Sequence, residues 1–153
     1  MEKVNVEGIG IAFERRAGKV PGLVWLGGYR SDMNGTKAAH LDAFAARTAR
    51  AMLRHDYSGH GLSEGSLHNG TISQWTAQSL AVFRTRTEGP QILIGSSMGG
   101  WIALRMLEEL AKTSESARVS GIILIAPAPD FTTDLIEPNL SAAQCQQLGR
   151  VVI

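Results

Sequence analysis

Residues 90–104 read PQILIGSSMGGWIAL, and this stretch decides the fold. The apolar run at residues 92–94 predicts a buried strand, and the apolar spacing that follows predicts a helix. Between them, residues 95–99 have the form GxSxG. In such a strand-to-helix turn the central serine, Ser97, takes a strained conformation that exposes its hydroxyl. Glycines fit at Gly95 and Gly99 because a side chain there would collide with the neighbouring backbone.

A GxSxG pentapeptide also occurs by chance, so the surrounding pattern carries the interpretation. The strand before Ser97, the helix after it and the small residues around it favour a nucleophile. A serine oxygen that attacks a carbonyl carbon needs hydrogen-bond donors for the resulting oxyanion. We expect one donor to be the backbone N–H of Met98, at the start of the helix. The second would be the N–H of Tyr29, because Gly28 lets that loop approach the turn; otherwise residues 27–28 form only a tight turn.

Strand and helix patterns alternate along the chain, which predicts an α/β fold with a mostly parallel sheet and helices on both faces. One or two short opening strands are predicted at residues 4–13, and further strands at 22–26, 51–56, 92–94 and 119–125. Helices are predicted from Thr36, from Thr71 with its Thr-x-x-Gln capping box, and after Ser97. Weaker helix signals lie at residues 132–134 and 141–148. Residues 1–153 are therefore interpreted as a single domain, with a core at 1–131 and the start of a cap or tail at 132–153.

The composition points away from several classes of protein. The 153 residues are 44% hydrophobic and 19% charged, and the net charge of +1 does not predict binding to nucleic acid or to an anionic membrane surface. No apolar stretch approaches the roughly 20 residues that span a bilayer. A single cysteine, Cys145, and an N-terminus without a signal pattern predict a cytoplasmic protein. No spacing of His, Cys or carboxylates predicts a metal site, and no cofactor is expected.

The histidines fall in the wrong part of the chain for a Ser-acid-His order. All four of them precede Ser97: His40, His55, His60 and His68. His60 lies between two glycines just past a strand end, so we expect it to hold a loop, with a role as the catalytic base as the open alternative.

The other candidates for catalysis are more simply explained as packed or solvent-exposed residues. His55 is predicted to pack inside a strand, and His40 and His68 to face solvent. The possible acids are Asp32, Asp130 and Asp134. A catalytic acid acts by orienting the catalytic histidine, so without that histidine none of them has a catalytic role. Cys145 lies among glutamines and is no evident nucleophile.

Four segments together resemble the α/β-hydrolase superfamily. They are LGGYRSDM at 26–33 with GTKA at 35–38, DYSGHGLSEG at 56–65, GSSMGGW at 95–101 and APAPDF at 126–131. Within the superfamily they are most similar to the group of palmitoyl-protein thioesterases and acyl-glucuronide esterases and its small bacterial relatives. This resemblance implies a serine hydrolase that cleaves a small-molecule carboxylic ester or thioester through an acyl-enzyme.

The resemblance also implies roles for individual residues. Ser97 matches the nucleophile, and Met98 and Tyr29 match the oxyanion-hole positions. His60 matches a structural loop histidine, which together with the glycines at 28, 95 and 99 supports the turn.

Members of the superfamily continue through a cap and two more strands, in which the catalytic acid and then the histidine appear. No position in this sequence matches either residue, so we expect both to be absent from this chain and the sheet to lack its last strands. The strand at 119–125 would then be an exposed apolar edge that favours self-association. Two alternatives stay open: a non-catalytic module that binds an acyl ligand or a partner, and an enzyme that borrows the missing residues from a second chain.

Overall fold

A six-stranded sheet forms the centre of the part that the computed structural model describes, residues 1–131 and 141–143. The strands are β1 Glu2–Val6, β2 Ile9–Arg16, β3 Lys19–Leu26, β4 Arg50–His55, β5 Gln91–Ser96 and β6 Val119–Ile125. The α-helices are α1 Thr36–Arg47, α2 Ile72–Arg86 and α3 Met98–Ala111. Short 3₁₀ turns lie at Leu67–Asn69 and Ser114–Arg118.

The order of strands in the sheet is β1-β2-β4-β3-β5-β6. β1, β2 and β4 pair antiparallel, whereas β4, β3, β5 and β6 run parallel. The β1–β2 hairpin turns through Glu7 and Gly8, whose φ angles of 51° and 85° suit a type I′ turn. The parallel strands are joined by helical crossovers. This architecture confirms the predicted α/β fold with a mostly parallel sheet.

The helices divide between the two faces of the sheet. One face packs on α2 and α3 around buried residues such as Phe13, Leu93 and Met106. The other packs on α1 through a smaller cluster that includes Trp25, Ala38 and Ile94. Because both faces of the central strands are covered, those strands are apolar along most of their length, as the sequence pattern predicted.

The last described strand, β6, lies at the end of the sheet. Within the described residues it pairs only with β5. Ile123 is 50% exposed and Leu124 is 37% exposed. Their exposure matches the apolar edge that the sequence predicted, and self-association through it stays a prediction.

Local signals placed most elements correctly. Thr71 caps α2 as predicted, because its Oγ1 accepts the N–H of Gln74 at 3.1 Å. β3 begins at Lys19, three residues before the apolar run, because Lys19 already pairs with Arg50 and its N–H donates to the Ala49 carbonyl at 2.8 Å. The signals at 132–134 and 144–148, and most of the predicted cap or tail, lie outside the described residues.

Candidate active site

Ser97 occupies a sharp turn between β5 and α3. Its φ and ψ are 54° and −119°, a conformation that is uncommon and strained for any residue except glycine. Three backbone hydrogen bonds hold it. The Ser97 N–H donates to the Ile125 carbonyl at 3.0 Å, and the Ser97 carbonyl accepts the N–H groups of Gly100 at 2.9 Å and Ala128 at 3.1 Å. The end of β6 therefore fixes the strained turn.

The glycines around Ser97 are required by close backbone packing. A Cβ on Gly95 would overlap the carbonyl of Gly99 and lie 2.7 Å from the Cα of Gly100. A Cβ on Gly99 would overlap the carbonyl of Leu26 at the end of β3. The start of α3 can therefore approach both its own strand and the neighbouring strand, which places Ser97 at the edge where the parallel strands end.

The loop after β3 lies directly against the turn. A Cβ on Gly28 would lie 3.6 Å from the Cβ of Ser97 and 3.5 Å from the Ser96 carbonyl oxygen. Among the described residues, the backbone N–H groups of Met98 and Tyr29 donate to no acceptor. Met98 directly follows the serine, and Tyr29 follows Gly28 and lines the same cavity as Ser97. Their role in an oxyanion hole remains a prediction.

A cavity of about 350 Å³ opens beside Ser97. It lies between the turn, the loop after β3 and the start of α1. Its lining residues are Trp25, Gly28, Tyr29, Ser31, Asp32, Gly35, Thr36, Lys37, Ala38, Ser96 and Ser97. Ser97 is exposed there, and its hydroxyl makes no hydrogen bond with any described residue. The serine is thus accessible to a substrate but has no base among these residues.

His60 is packed inside a group of aromatic rings. It is 3% exposed, and its ring lies 5.1 Å from that of Trp75 and 5.4 Å from that of Tyr57, edge to face in both cases. Nδ1 lies 3.1 Å from the Ser58 carbonyl oxygen, and Nε2 has no partner among the described residues. Burial lowers the pKa of His60, which favours the neutral ring. No hydrogen bond joins His60 to Ser97, and its role in holding the loop stays a prediction.

The other three histidines also make no hydrogen bond with Ser97. His55 is 2% exposed and lies 2.9 Å from the Ser79 hydroxyl through Nε2; burial lowers its pKa to about 4. His40 is exposed, with Nδ1 2.8 Å from the Thr36 carbonyl oxygen. His68 is exposed in a 3₁₀ turn. No histidine of the chain is hydrogen-bonded to Ser97.

Asp56 is a supporting residue that the sequence argument missed. Its carboxylate accepts the N–H of Met33 at 2.7 Å and the N–H of Leu62 at 2.8 Å. It therefore ties the loop after β3 to the loop after β4. Burial is the main reason that the pKa of Asp56 is raised, although these hydrogen bonds act in the opposite direction. The available signal was an acid immediately after a strand and before a glycine-rich loop.

Neither Asp32 nor Asp130, two of the three possible acids, is hydrogen-bonded to Ser97. Asp32 is exposed, and its Oδ1 accepts the N–H of Asn34 at 2.7 Å. Asp130 has a positive φ of 52°. Asp134 and Cys145 lie outside the described residues.

Neither a metal centre nor a membrane-spanning helix is found among residues 1–131 and 141–143. No group of three or more His, Cys, Asp or Glu is arranged to hold a metal ion there. None of the helices in this part combines the length and the apolar character that crossing a membrane requires.

A mostly parallel sheet with a strained serine between a strand and a helix defines the α/β-hydrolase class. Residues 27–152 match the model of the family described as serine aminopeptidase, S33, so the chain belongs to this family of α/β hydrolases. This confirms the resemblance that the sequence motifs carried.

Individual relatives agree with this assignment. The chain is 40% identical over 120 residues to mitochondrial palmitoyl-protein thioesterase ABHD10 of Mus musculus, covering 78% of this chain and 39% of the relative. A protein of Agrobacterium vitis S4 assigned as a hydrolase superposes with a TM-score of 0.86 at 47% identity, covering 97% of this chain and 59% of that structure. The structure of mouse ABHD10 superposes with a TM-score of 0.83 at 33% identity, covering 97% and 58%. The chain thus spans well under two thirds of the length of these relatives.

The predicted cytoplasmic location is wrong on this comparison. The curated relatives from mouse, cattle and human are named mitochondrial proteins. The prediction rested largely on the single cysteine, which indicates a reducing compartment without distinguishing one such compartment from another, whereas import into an organelle is directed by separate short segments.

Proposed function

We propose that this chain carries the nucleophile of a serine hydrolase that cleaves carboxylic esters or thioesters through an acyl-enzyme on Ser97. The observation that supports the proposal most directly is the strained turn at Ser97. The N–H of Met98, which follows it, and the N–H of Tyr29, which lines the same cavity, donate to no acceptor among the described residues. Strain of this kind persists only where surrounding contacts enforce it, and it is concentrated at functional sites.

The proposed reaction begins with attack of the Ser97 oxygen on the carbonyl carbon of the substrate. The hydroxyl proton passes to a base, and the carbonyl electrons move to the oxygen that the two N–H groups stabilise. The C–O or C–S bond then breaks, the leaving group departs as an alcohol or a thiol, and the acyl group stays on Ser97. Water releases it as a carboxylic acid. The base and its acid are predicted to come from outside this chain.

The name of the ABHD10 relatives favours thioesters among these substrates. Leaving-group chemistry agrees with this choice. A thiol has a pKa of about 8.5, so a thiolate departs with less help from an acid than an alkoxide does. A site that lacks its base and acid would therefore lose less activity towards thioesters than towards esters.

The test is labelling by a fluorophosphonate, read by mass spectrometry on the folded 153-residue protein. The matched variants are Ser97→Ala, which removes the proposed nucleophile, and Ser96→Ala, which removes the preceding hydroxyl. We expect labelling at Ser97 that Ser97→Ala abolishes and Ser96→Ala retains. Labelling that rises steeply with protein concentration would show that a second chain supplies the base.

Absence of labelling in protein that remains folded would overturn the proposal for this chain. The result would favour the second candidate, a non-catalytic module that binds an acyl ligand. The free Ser97 hydroxyl, which no histidine of the chain contacts, is the observation that keeps this candidate open.

A further inference from the structure

We propose that Arg54 is a positioning residue that holds the backbone N–H of Tyr29 in place for the reaction at Ser97. The inference rests on the proposed function, because Tyr29 is one of the two proposed oxyanion donors. Arg54 lies on β4 and acts through the loop between β3 and α1, residues 27–35, which we call the donor loop.

The donor loop contains a turn with a strained backbone. The Gly28 carbonyl accepts the N–H of Ser31 at 3.1 Å, so Tyr29 and Arg30 are the central residues of a β-turn. Arg30 has a φ of 58°, which is uncommon for a residue other than glycine. Such a conformation persists only where the surrounding structure enforces it. The donor loop therefore has to be held on both sides of this turn.

Side chains from β4 and from the residues after it hold both ends of the donor loop. At its start, the buried hydroxyl of Tyr57 donates to the Gly27 carbonyl at 3.0 Å. Near its end, Asp56 accepts the N–H of Met33 at 2.7 Å, and Nη1 of Arg54 donates to the carbonyl of Met33 at 3.1 Å. The backbone is therefore hydrogen-bonded on either side of the strained turn.

Two carboxylates orient the guanidinium of Arg54 towards the donor loop. Nη2 donates to Glu14 on β2 and lies 3.8 Å from Asp42 on α1, while Nη1 donates to the side chain of Asn34 in the donor loop at 3.0 Å. The guanidinium is planar, so the acids that hold one nitrogen also fix the direction of the other. The Arg54 side chain is only 14% exposed, which limits competition from water. A single ammonium group has no second nitrogen with which to span both sets of partners.

Arg16 provides a control within the same group of charges. It donates to Asp42 through Nε at 3.1 Å and Nη2 at 2.9 Å, and it makes no hydrogen bond with the donor loop. If the charges only stabilised the fold, replacing Arg16 and replacing Arg54 would have similar effects on the reaction. If Arg54 positions the donor loop, only its replacement affects Tyr29.

The first test measures the loop directly, in the variants Arg54→Lys and Arg16→Lys, which both keep the positive charge. Amide hydrogen exchange is followed by NMR at Ser31, whose N–H closes the turn around Tyr29. We expect exchange at Ser31 to be about fivefold faster in Arg54→Lys, which corresponds to the loss of one ordinary hydrogen bond, and the Tyr29 amide signal to shift. Arg16→Lys should exchange within about twofold of the wild type at the same residue. Equal exchange at Ser31 in the two variants would overturn the inference.

The second test measures the rate at which a fluorophosphonate labels Ser97, over a range of probe concentrations. Arg54→Lys should lower the maximal rate about tenfold, because a displaced oxyanion donor is lost in the transition state. The probe concentration that gives half of the maximal rate should stay unchanged. An unchanged maximal rate in Arg54→Lys, or an equal decrease in Arg16→Lys, would contradict a positioning role.

The two tests separate this inference from the proposed function. Wild-type protein that is folded but not labelled overturns the proposed function and, with it, the catalytic purpose of the donor loop. The exchange measurement then still shows whether Arg54 holds the turn around Tyr29. Labelling of the wild type together with an unaffected Arg54→Lys variant overturns the inference alone.

Discussion

Gly99 in the first turn of α3 packs directly against the carbonyl oxygen of Leu26 at the end of β3. A Cβ on Gly99 would overlap that oxygen and lie 2.6 Å from the carbonyl oxygen of Gly27. This contact brings the helix that follows the serine onto the loop that carries Tyr29. The proposed nucleophile and one proposed oxyanion donor therefore share a backbone contact that tolerates only glycine.

Gly99→Ala should lower the free energy of unfolding by about 3 kcal/mol, because backbone atoms on both sides of the new methyl group must move. The matched control is Gly121→Ala in β6, where a Cβ would meet only side-chain atoms of Ile92 at 3.7 Å or more. Urea denaturation of both variants measures the difference. Equal stabilities would show that the contact between Gly99 and Leu26 relaxes easily.

The strain at Ser97 predicts that glycine is more stable than alanine at this position, which is the reverse of their order inside a strand. Ser97→Gly should be more stable than Ser97→Ala by about 1 to 3 kcal/mol, since glycine adopts a φ of 54° without strain. At Ser96, inside β5, the same pair of substitutions should show alanine as the more stable by about 0.5 to 1 kcal/mol. Thermal and chemical unfolding of the four variants tests this, and the same order at both positions would contradict it.

The buried His55 predicts a loss of stability in acid. Its folded pKa of about 4 lies below the ordinary value of 6.5, so its stabilising contribution is complete above pH 6.5 and is lost as the pH falls towards 4. For this residue alone the loss is on the order of 3 kcal/mol by pH 4. The stability of wild type and His55→Gln, measured between pH 7 and pH 4, should therefore converge in acid.

His68→Gln is the matched control for this pH experiment because His68 is exposed. Its stability should run parallel to that of the wild type over the same range. His60, whose pKa is also lowered by burial, contributes to the acid dependence of all three proteins and cancels in the comparison. A parallel curve for His55→Gln would show that His55 is not neutral and buried in the folded protein.

The exposed edge at β6 predicts association between copies. Ile123→Lys should reduce association with little effect on unfolding, because the side chain is already 50% exposed and edge lysines discourage strand pairing. Leu62→Lys, at 48% exposure away from β6, is the matched control. Sedimentation velocity at several protein concentrations distinguishes the variants, and a wild type that is monomeric throughout would contradict the prediction.

Sequence reasoning succeeded where the signal is local. The apolar run before Ser97 and the glycines around it specify the turn within a few residues, and the capping box at Thr71 does the same for α2. It failed for Asp56, whose carboxylate binds the N–H of Met33, 23 residues earlier in the chain. The sequence pattern around Asp56 or Met33 does not predict this contact, because the contact exists only when the ends of β3 and β4 lie side by side.

The sequence by itself therefore determined the alternation of strands and helices and the identity of the serine at the turn, because periodicity, capping and glycine placement act over a few residues. Only the tertiary structure decided what surrounds that serine. The strand order sets β3 beside β5 although α1, β4 and α2 separate them in the chain, and this brings Tyr29, Trp25 and Lys37 to Ser97. Such neighbours are set by which strands pair and which faces the helices cover, and these depend on the burial of the whole sheet.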